Sequence, residues 1–90
     1  MKITVEFMAQ LRVAAGEPRT VVECDEGTTV AAVLGSLART HGEEFRALTL
    51  DPGGGVNSSL LVAVEGRRVR GDSVLRADDA LVLGTPISGG

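Results

Sequence analysis

The sequence contains neither tryptophan nor tyrosine, and it has only two phenylalanines, one cysteine and one histidine. A single cysteine, Cys24, excludes an internal disulfide and a cysteine-rich zinc site. A single histidine, His41, excludes a multi-histidine metal site and makes a histidine-based catalytic triad difficult to build. We therefore expect no metal site and no bound cofactor, and the chain is poorly equipped for catalysis.

Positive charge and long apolar runs are also scarce. Nine Lys and Arg stand against twelve Asp and Glu, a net charge of −3, whereas nucleic-acid binders present a basic face and often aromatic stacking platforms. No run approaches the roughly 20 apolar residues that span a bilayer. Residues 1–6 alternate in polarity and do not form the apolar block of a signal peptide. We expect a cytoplasmic protein that binds neither nucleic acid nor membranes.

Alternating and apolar segments predict the strands of one small domain. The chain has 90 residues, of which 43% are hydrophobic, enough for a single modest core. Alternation over residues 2–8 predicts a strand whose inward side chains are Ile3, Val5 and Phe7. Residues 9–18 predict one helical turn that ends at Gly16 and Pro18. Further strands are predicted over 19–24, 60–64, 67–70 and 80–83.

Residues 30–41 carry the clearest helical pattern. Thr28 or Thr29 can cap the N-terminus, and the helix is expected to end near Gly42. Gly35, in its middle, is expected where the helix lies close to a sheet. The apolar stripe at helical spacing comprises Val30, Val33, Leu34, Leu37 and His41.

The predicted elements follow the order β-β-α-β-β-β, an α+β fold in which one main helix crosses one face of a mixed sheet of about five strands. That order at this length is the β-grasp, or ubiquitin-like, arrangement. After the helix, Phe45, Leu48 and Leu50 should dock on the core, and residues 51–55 predict a turn or mobile loop. The β-grasp domain is expected to span 1–84, followed by a flexible tail, 85–90, that ends in two glycines.

Four stretches match a known family at the right offsets. They read Phe-Met-Ala-Gln-Leu-Arg (7–12), Gly-Thr-Thr-Val (27–30), Leu-Val-Ala-Val-Glu-Gly (61–66) and Ile-Ser-Gly-Gly (87–90). The chain thereby resembles the ubiquitin-like sulfur carriers, which include the small subunit of molybdopterin synthase, the thiamine sulfur carrier and the Urm1-type modifiers. Glu65 replaces the family's usual asparagine and is a poorer left-handed residue, which argues against a type I′ turn there.

The resemblance implies a carrier that is itself not an enzyme. In the family, an E1-like enzyme uses ATP to adenylate the C-terminal carboxylate, here that of Gly90. A sulfurtransferase or persulfide donor then replaces AMP and leaves a thiocarboxylate. The tail residues Ile87, Ser88 and Gly89 would thread into the activating site. Sulfur would pass to an acceptor enzyme such as the large subunit of molybdopterin synthase, and molybdopterin synthesis is the first expected pathway.

Strand alternation also predicts a docking surface. The outward residues should form an exposed apolar patch continuous with the tail, with a salt-bridging arginine at its rim. In the family, this face and the tail bind both the E1-like enzyme and the acceptor. The predicted docking residues are Met8, Leu61, Ala63, Val82 and Arg68.

Two other functions compete with a sulfur carrier. The chain would be a ubiquitin-like modifier if Gly90 were conjugated to target lysines, or an interaction module if its tail were never processed. The remaining features have structural interpretations. His41 is read as a partly buried residue at a helix end, Cys24 as an ordinary strand residue, and 51–55 as a loop that lacks the Gly-Lys-(Ser/Thr) of a phosphate-binding loop.

Overall fold

The computed structural model describes residues 1–86, and in them five strands form one mixed sheet in the order β2-β1-β5-β3-β4. β1 and β5 are parallel, and all other neighbours are antiparallel. The predicted β-grasp arrangement is confirmed. In chain order the elements are β1 (Lys2–Phe7), α1 (Gln10–Ala15), β2 (Arg19–Glu23), α2 (Val30–His41), α3 (Glu43–Thr49), β3 (Leu61–Val64), β4 (Arg67–Arg68) and β5 (Ala80–Gly84).

The inner face of the sheet packs against the helices. Along β1, alternate side chains are buried and exposed, as the polarity pattern predicts. Thr29 caps the N-terminus of α2: its side-chain oxygen accepts a hydrogen bond from the Ala32 N–H at 3.2 Å and so satisfies one free donor of the first turn. The centre of the core comprises Ile3, Val5, Phe7, Leu11, Val30, Val33, Leu34, Phe45, Leu81 and Leu83.

α3 is a helix that the sequence pattern does not reveal. The expectation that Phe45 and Leu50 dock on the core is confirmed, and Thr49, also fully buried, donates its hydroxyl to the Phe45 carbonyl at 2.9 Å. α3 has only seven residues, and Gly42 supplies no side-chain cap. Helices this short are unstable alone, so packing on the core holds α3 in place.

The turn between β3 and β4 differs from the expectation for Glu65. Glu65 and Gly66 both have positive φ, 50° and 79°, as a type I′ turn requires. The prediction that Glu65 disfavours this turn is therefore wrong. The Glu65 carboxylate accepts the Ala80 N–H at 3.2 Å. This bond to the start of β5 offsets the strain of a left-handed glutamate. β4 then spans only Arg67–Arg68, shorter than the predicted 67–70.

The segment after β4 turns away from the sheet to hold the start of α2. The Val30 N–H donates to the Ser73 carbonyl at 3.0 Å, and the Ala31 N–H donates to the Gly71 carbonyl at 2.9 Å. Leu75 follows and is buried in the core. Two donors at the helix N-terminus thus find distant backbone partners.

Gly35 does not lie where the sequence places it. A Cβ built at Gly35 has nothing within 4 Å beyond its own chain neighbours and helix backbone. The sheet therefore does not approach α2 closely at this point. Gly35 lowers the helix propensity of α2, and no neighbouring group occupies the space left by its missing side chain.

Candidate functional site

The outer face of the sheet carries the predicted docking residues in adjacent rows. The register places Val82 of β5 opposite Glu6 on one side and opposite Ala63 on the other. Ala63 in turn lies opposite Arg68 of β4. One row of side chains therefore runs across four strands, with two apolar residues between an acidic and a basic one.

The next row is formed by Leu61 and Met8. Leu61 pairs with Gly84, and the Met8 N–H donates to the Leu83 carbonyl at 2.9 Å, which extends β1 alongside β5. Met8 is 49% exposed and Leu61 38% exposed, whereas Ala63 and Val82 are half-buried. The outer face thus offers an apolar surface that its own chain covers only in part.

All five predicted docking residues line one open depression of about 680 Å³. Arg68 is exposed, so its guanidinium is available to a carboxylate of a partner. The structure therefore brings together what the strand alternation predicted. The other residues of the lining are Ala9, Val62, Gly66, Gly84 and Thr85.

Gly84 is a member of this surface that the sequence reasoning missed. It lies opposite Leu61, and a Cβ placed on it would be 3.6 Å from the Met8 Cβ, an ordinary contact distance. The missing side chain leaves space between the two exposed apolar residues. The strand predicted from the sequence ends at residue 83 and so leaves Gly84 out. Gly84 is nevertheless the next outward position after Ala80 and Val82.

The chain leaves β5 at the edge of the depression. Thr85 lines it and also lines a second depression of about 540 Å³, which Pro86, Leu48 and Asn57 help to form. The described part of the chain therefore ends beside the predicted docking residues. The tail residues predicted to be activated or threaded lie outside the described residues: Ile87, Ser88, Gly89 and Gly90.

His41 has the structural surroundings that the sequence interpretation gave it. Its Nε2 lies 2.9 Å from a carboxylate oxygen of Glu17, and its Nδ1 lies 3.0 Å from the Leu37 carbonyl. The imidazole packs against Phe7 and Phe45, with ring centroids 5.6 and 5.1 Å away. These contacts tie the end of α2 to the residues before β2 and to the core.

Cys24 follows β2 and is half-buried against the core. Its N–H donates to the Met1 carbonyl at 2.9 Å. Within residues 1–86, no three His, Cys, Asp or Glu side chains lie close enough to hold a metal ion. No helix of the described chain is both long and apolar enough to cross a bilayer.

Comparison with known proteins assigns the family. The model of the ThiS family matches residues 5–90. The chain belongs to the ThiS family. The resemblance to ubiquitin-like sulfur carriers is thereby confirmed. No curated protein matches the sequence at a significant level.

Solved structures share the fold of this ThiS-family chain over nearly their whole lengths. SAMP1 from Haloferax volcanii is 24% identical with a TM-score of 0.89, and each chain covers all of the other. A Pyrococcus furiosus protein described as molybdopterin converting factor, subunit 1, is 26% identical with a TM-score of 0.80, over 97% of this chain and 99% of its own. A chain of the Amycolatopsis orientalis BexX/CysO complex is 21% identical with a TM-score of 0.75, over 98% and 99%.

Proposed function

We propose that the chain is a sulfur carrier whose Gly90 carboxylate is adenylated by an E1-like enzyme and converted to a thiocarboxylate. The thiocarboxylate donates sulfur in cofactor or metabolite biosynthesis, with molybdopterin synthesis as the first pathway to test. Membership of the ThiS family through residue 90 supports this proposal. Likeness to the Pyrococcus furiosus molybdopterin converting factor subunit supports the pathway.

The proposed chemistry takes place in the partner enzymes. A carboxylate is a poor electrophile, so the activating enzyme joins Gly90 to the AMP portion of ATP and releases pyrophosphate. The terminal sulfur of a persulfide, carried by a sulfurtransferase or another donor, then displaces AMP, which is a good leaving group. A second thiol cleaves the resulting acyl disulfide, which releases the thiocarboxylate and leaves a disulfide on the donor. Gly89 and Gly90 have no side chains, so their backbone can enter a narrow active site. The chain is a co-substrate in the cytoplasm and holds no cofactor of its own.

The observation that carries the proposal is the depression beside Thr85. Met8 and Leu61 provide apolar contact area, and Arg68 provides charge at the margin, a combination typical of protein interfaces. A partner bound there lies next to the point where the chain leaves the sheet. We propose that the activating enzyme and an acceptor such as a molybdopterin-synthase large subunit use this surface in turn, since both must reach Gly90.

Intact mass tests the proposal directly. The intact mass of the purified chain is first measured to establish that Gly90 bears a free carboxylate. It is then incubated with an E1-like enzyme, ATP and a sulfur source, alongside a reaction without ATP. We expect the mass gain of one oxygen-to-sulfur exchange, located on Gly90 and dependent on ATP. An unchanged mass, under conditions that convert a known carrier, would contradict the proposal and favour an unprocessed interaction module.

Protein modification is the second candidate function. The fold matches that of the Haloferax volcanii small archaeal modifier protein 1, with a TM-score of 0.83 over 96% of this chain, and activation of Gly90 would be its first step too. A Gly-Gly remnant on lysines of other proteins, found after expression in cells and lost when Gly90 is deleted, would support conjugation. Thiocarboxylate without any remnant would exclude it in those cells.

A further inference from the structure

β2 is an edge strand of the sheet, and its outer side has no backbone partner among residues 1–86. The Phe7 N–H donates to the Pro18 carbonyl and the Cys24 N–H donates to the Met1 carbonyl, each at 2.9 Å. Hydrogen-bonding direction alternates along an antiparallel pair, so the even-numbered residues of β2 face β1. The residues whose N–H and C=O groups point away from the sheet are Arg19, Val21 and Glu23.

The same three residues also share the outer face of the sheet, and all are exposed. Val21 is 57% exposed and lies midway between a basic and an acidic residue. Within the described chain, neither Arg19 nor Glu23 takes part in an ion pair. The edge therefore carries opposite charges placed symmetrically about an apolar centre.

We infer that this edge pairs with the same edge of a second copy of the chain. The two strands run antiparallel and are related by a two-fold axis that passes between their Val21 residues. Val21 then lies opposite Val21 of the second copy, and each Arg19 lies opposite the Glu23 of the other. Every outward N–H and C=O group of the strand is paired in this register. A shift by two residues would place Arg19 opposite Val21 and lose both charge pairs.

The neighbouring strand extends the same charge pattern. In the register of β1 with β2, Lys2 lies opposite Glu23 and Glu6 lies opposite Arg19. Across the joined sheets, Lys2 and Glu23 of one copy then continue into Arg19 and Glu6 of the second copy. The sign of the side-chain charge alternates at each step of this row. The two-fold axis repeats the row in the opposite direction. Opposite charges in directly facing positions stabilise a strand pair.

The inferred dimer leaves the docking surface free. β2 and β4 form opposite edges of the sheet, so Arg68 and the depression lie on the far side of each copy. The axis is perpendicular to the sheet, which keeps both outer faces on the same side. The interface is one strand about 17 Å long and buries far less than about 1,200 Å², so we expect a weak, concentration-dependent dimer.

Reversing the charge at position 19 or at position 23 tests the inferred dimer. Sedimentation equilibrium of the full chain, from about 10 µM to about 1 mM, covers the range of a weak interface. Arg19→Glu and Glu23→Arg each place like charges opposite one another, so each variant alone should dimerise about tenfold more weakly. An equimolar mixture of the two should associate again, because one chain then presents two acidic and the other two basic residues. Arg67→Glu makes the same change of net charge on β4, at the opposite edge of the sheet, and should behave as the native chain.

Amide hydrogen exchange gives a second readout that needs no variant. On raising the concentration, exchange should slow at Arg19, Val21 and Glu23, while Thr20 and Val22, which face β1, should change little. A native chain that stays monomeric at about 1 mM, or a mixture that associates no better than either single variant, would overturn the inference. Arg19 and Glu23 would then serve to keep the edge from pairing.

Discussion

The two faces of the sheet use the same strands for different purposes. On the inner face Leu81 and Leu83 are fully buried beneath the helices, whereas on the outer face Val82 is half-buried and Met8 is about half exposed. Neighbouring residues of β5 therefore differ in what they contact. Core packing depends on the odd-numbered positions of this strand, and the proposed partner recognition would depend on the even-numbered ones. Stability and partner binding should be separable one residue at a time.

The largest expected effect comes from comparing adjacent residues of β5. Leu81→Ala removes a fully buried side chain and should lower the free energy of unfolding by about 2–5 kcal/mol. Val82→Ala, one residue further on the outer face, should lower it by less than about 1 kcal/mol. Urea unfolding measures both. Equal losses would show that the two faces do not differ in this way.

Substitution of His41 tests how much side-chain packing at the margin of the inner face contributes to stability. His41→Ala removes contacts with Phe7 and Phe45 and the hydrogen bond to Glu17, and should cost about 2 kcal/mol of unfolding free energy. Glu17→Ala should cost less than about 1 kcal/mol, because the carboxylate is partly exposed. A Glu17→Ala loss as large as that of His41→Ala would show that the hydrogen bond to Glu17, and not aromatic packing, dominates.

On the outer face the expected effect is on binding. Leu61→Lys places a charge in the apolar depression and should lower kcat/KM for adenylation by the E1-like enzyme about tenfold, with little change in Tm. Thr4→Lys makes the same change of charge on the same face, outside the depression, and should have little effect. Equal losses for both variants would point to net charge and not to this surface.

The smallest expected effect tests the helix that covers the inner face. Gly35→Ala places a methyl group where nothing lies within 4 Å, so α2 should gain propensity and the protein about 1 kcal/mol of stability. Thermal unfolding measures the change. A destabilised variant would show that α2 lies closer to the sheet than the structure has it.

Much of the fold follows from local pattern. The alternation of Ile3, Val5 and Phe7, the helical stripe over 30–41 and the apolar strand at 61–64 each specify an element and its buried face. Because alternation also specifies the opposite face, the exposed position of the predicted docking residues Leu61 and Val82 followed from the same pattern. Family resemblance added what no periodicity shows, the proposed role of Gly90.

The missed features depend on contacts between distant residues. α3 forms because Phe45 finds the core, not because its seven residues favour a helix. The backbone bond from the Val30 N–H to the Ser73 carbonyl joins segments far apart in the chain, and so does the bond from the Ala80 N–H to the Glu65 carboxylate. Neither leaves a local signal. Gly84 was missed for a simpler reason, a strand predicted one residue too short.

The most direct measurement compares the full chain with a chain lacking Gly90 in ATP–pyrophosphate exchange catalysed by the E1-like enzyme. If the carrier reacts only through its terminal carboxylate, the full chain should support ATP–pyrophosphate exchange and the chain lacking Gly90 should support none. The melting curves of the two chains should coincide. Equal exchange by both chains would contradict this role for Gly90. A melting temperature lowered by many degrees in the shortened chain would mean that the residue belongs to the folded domain.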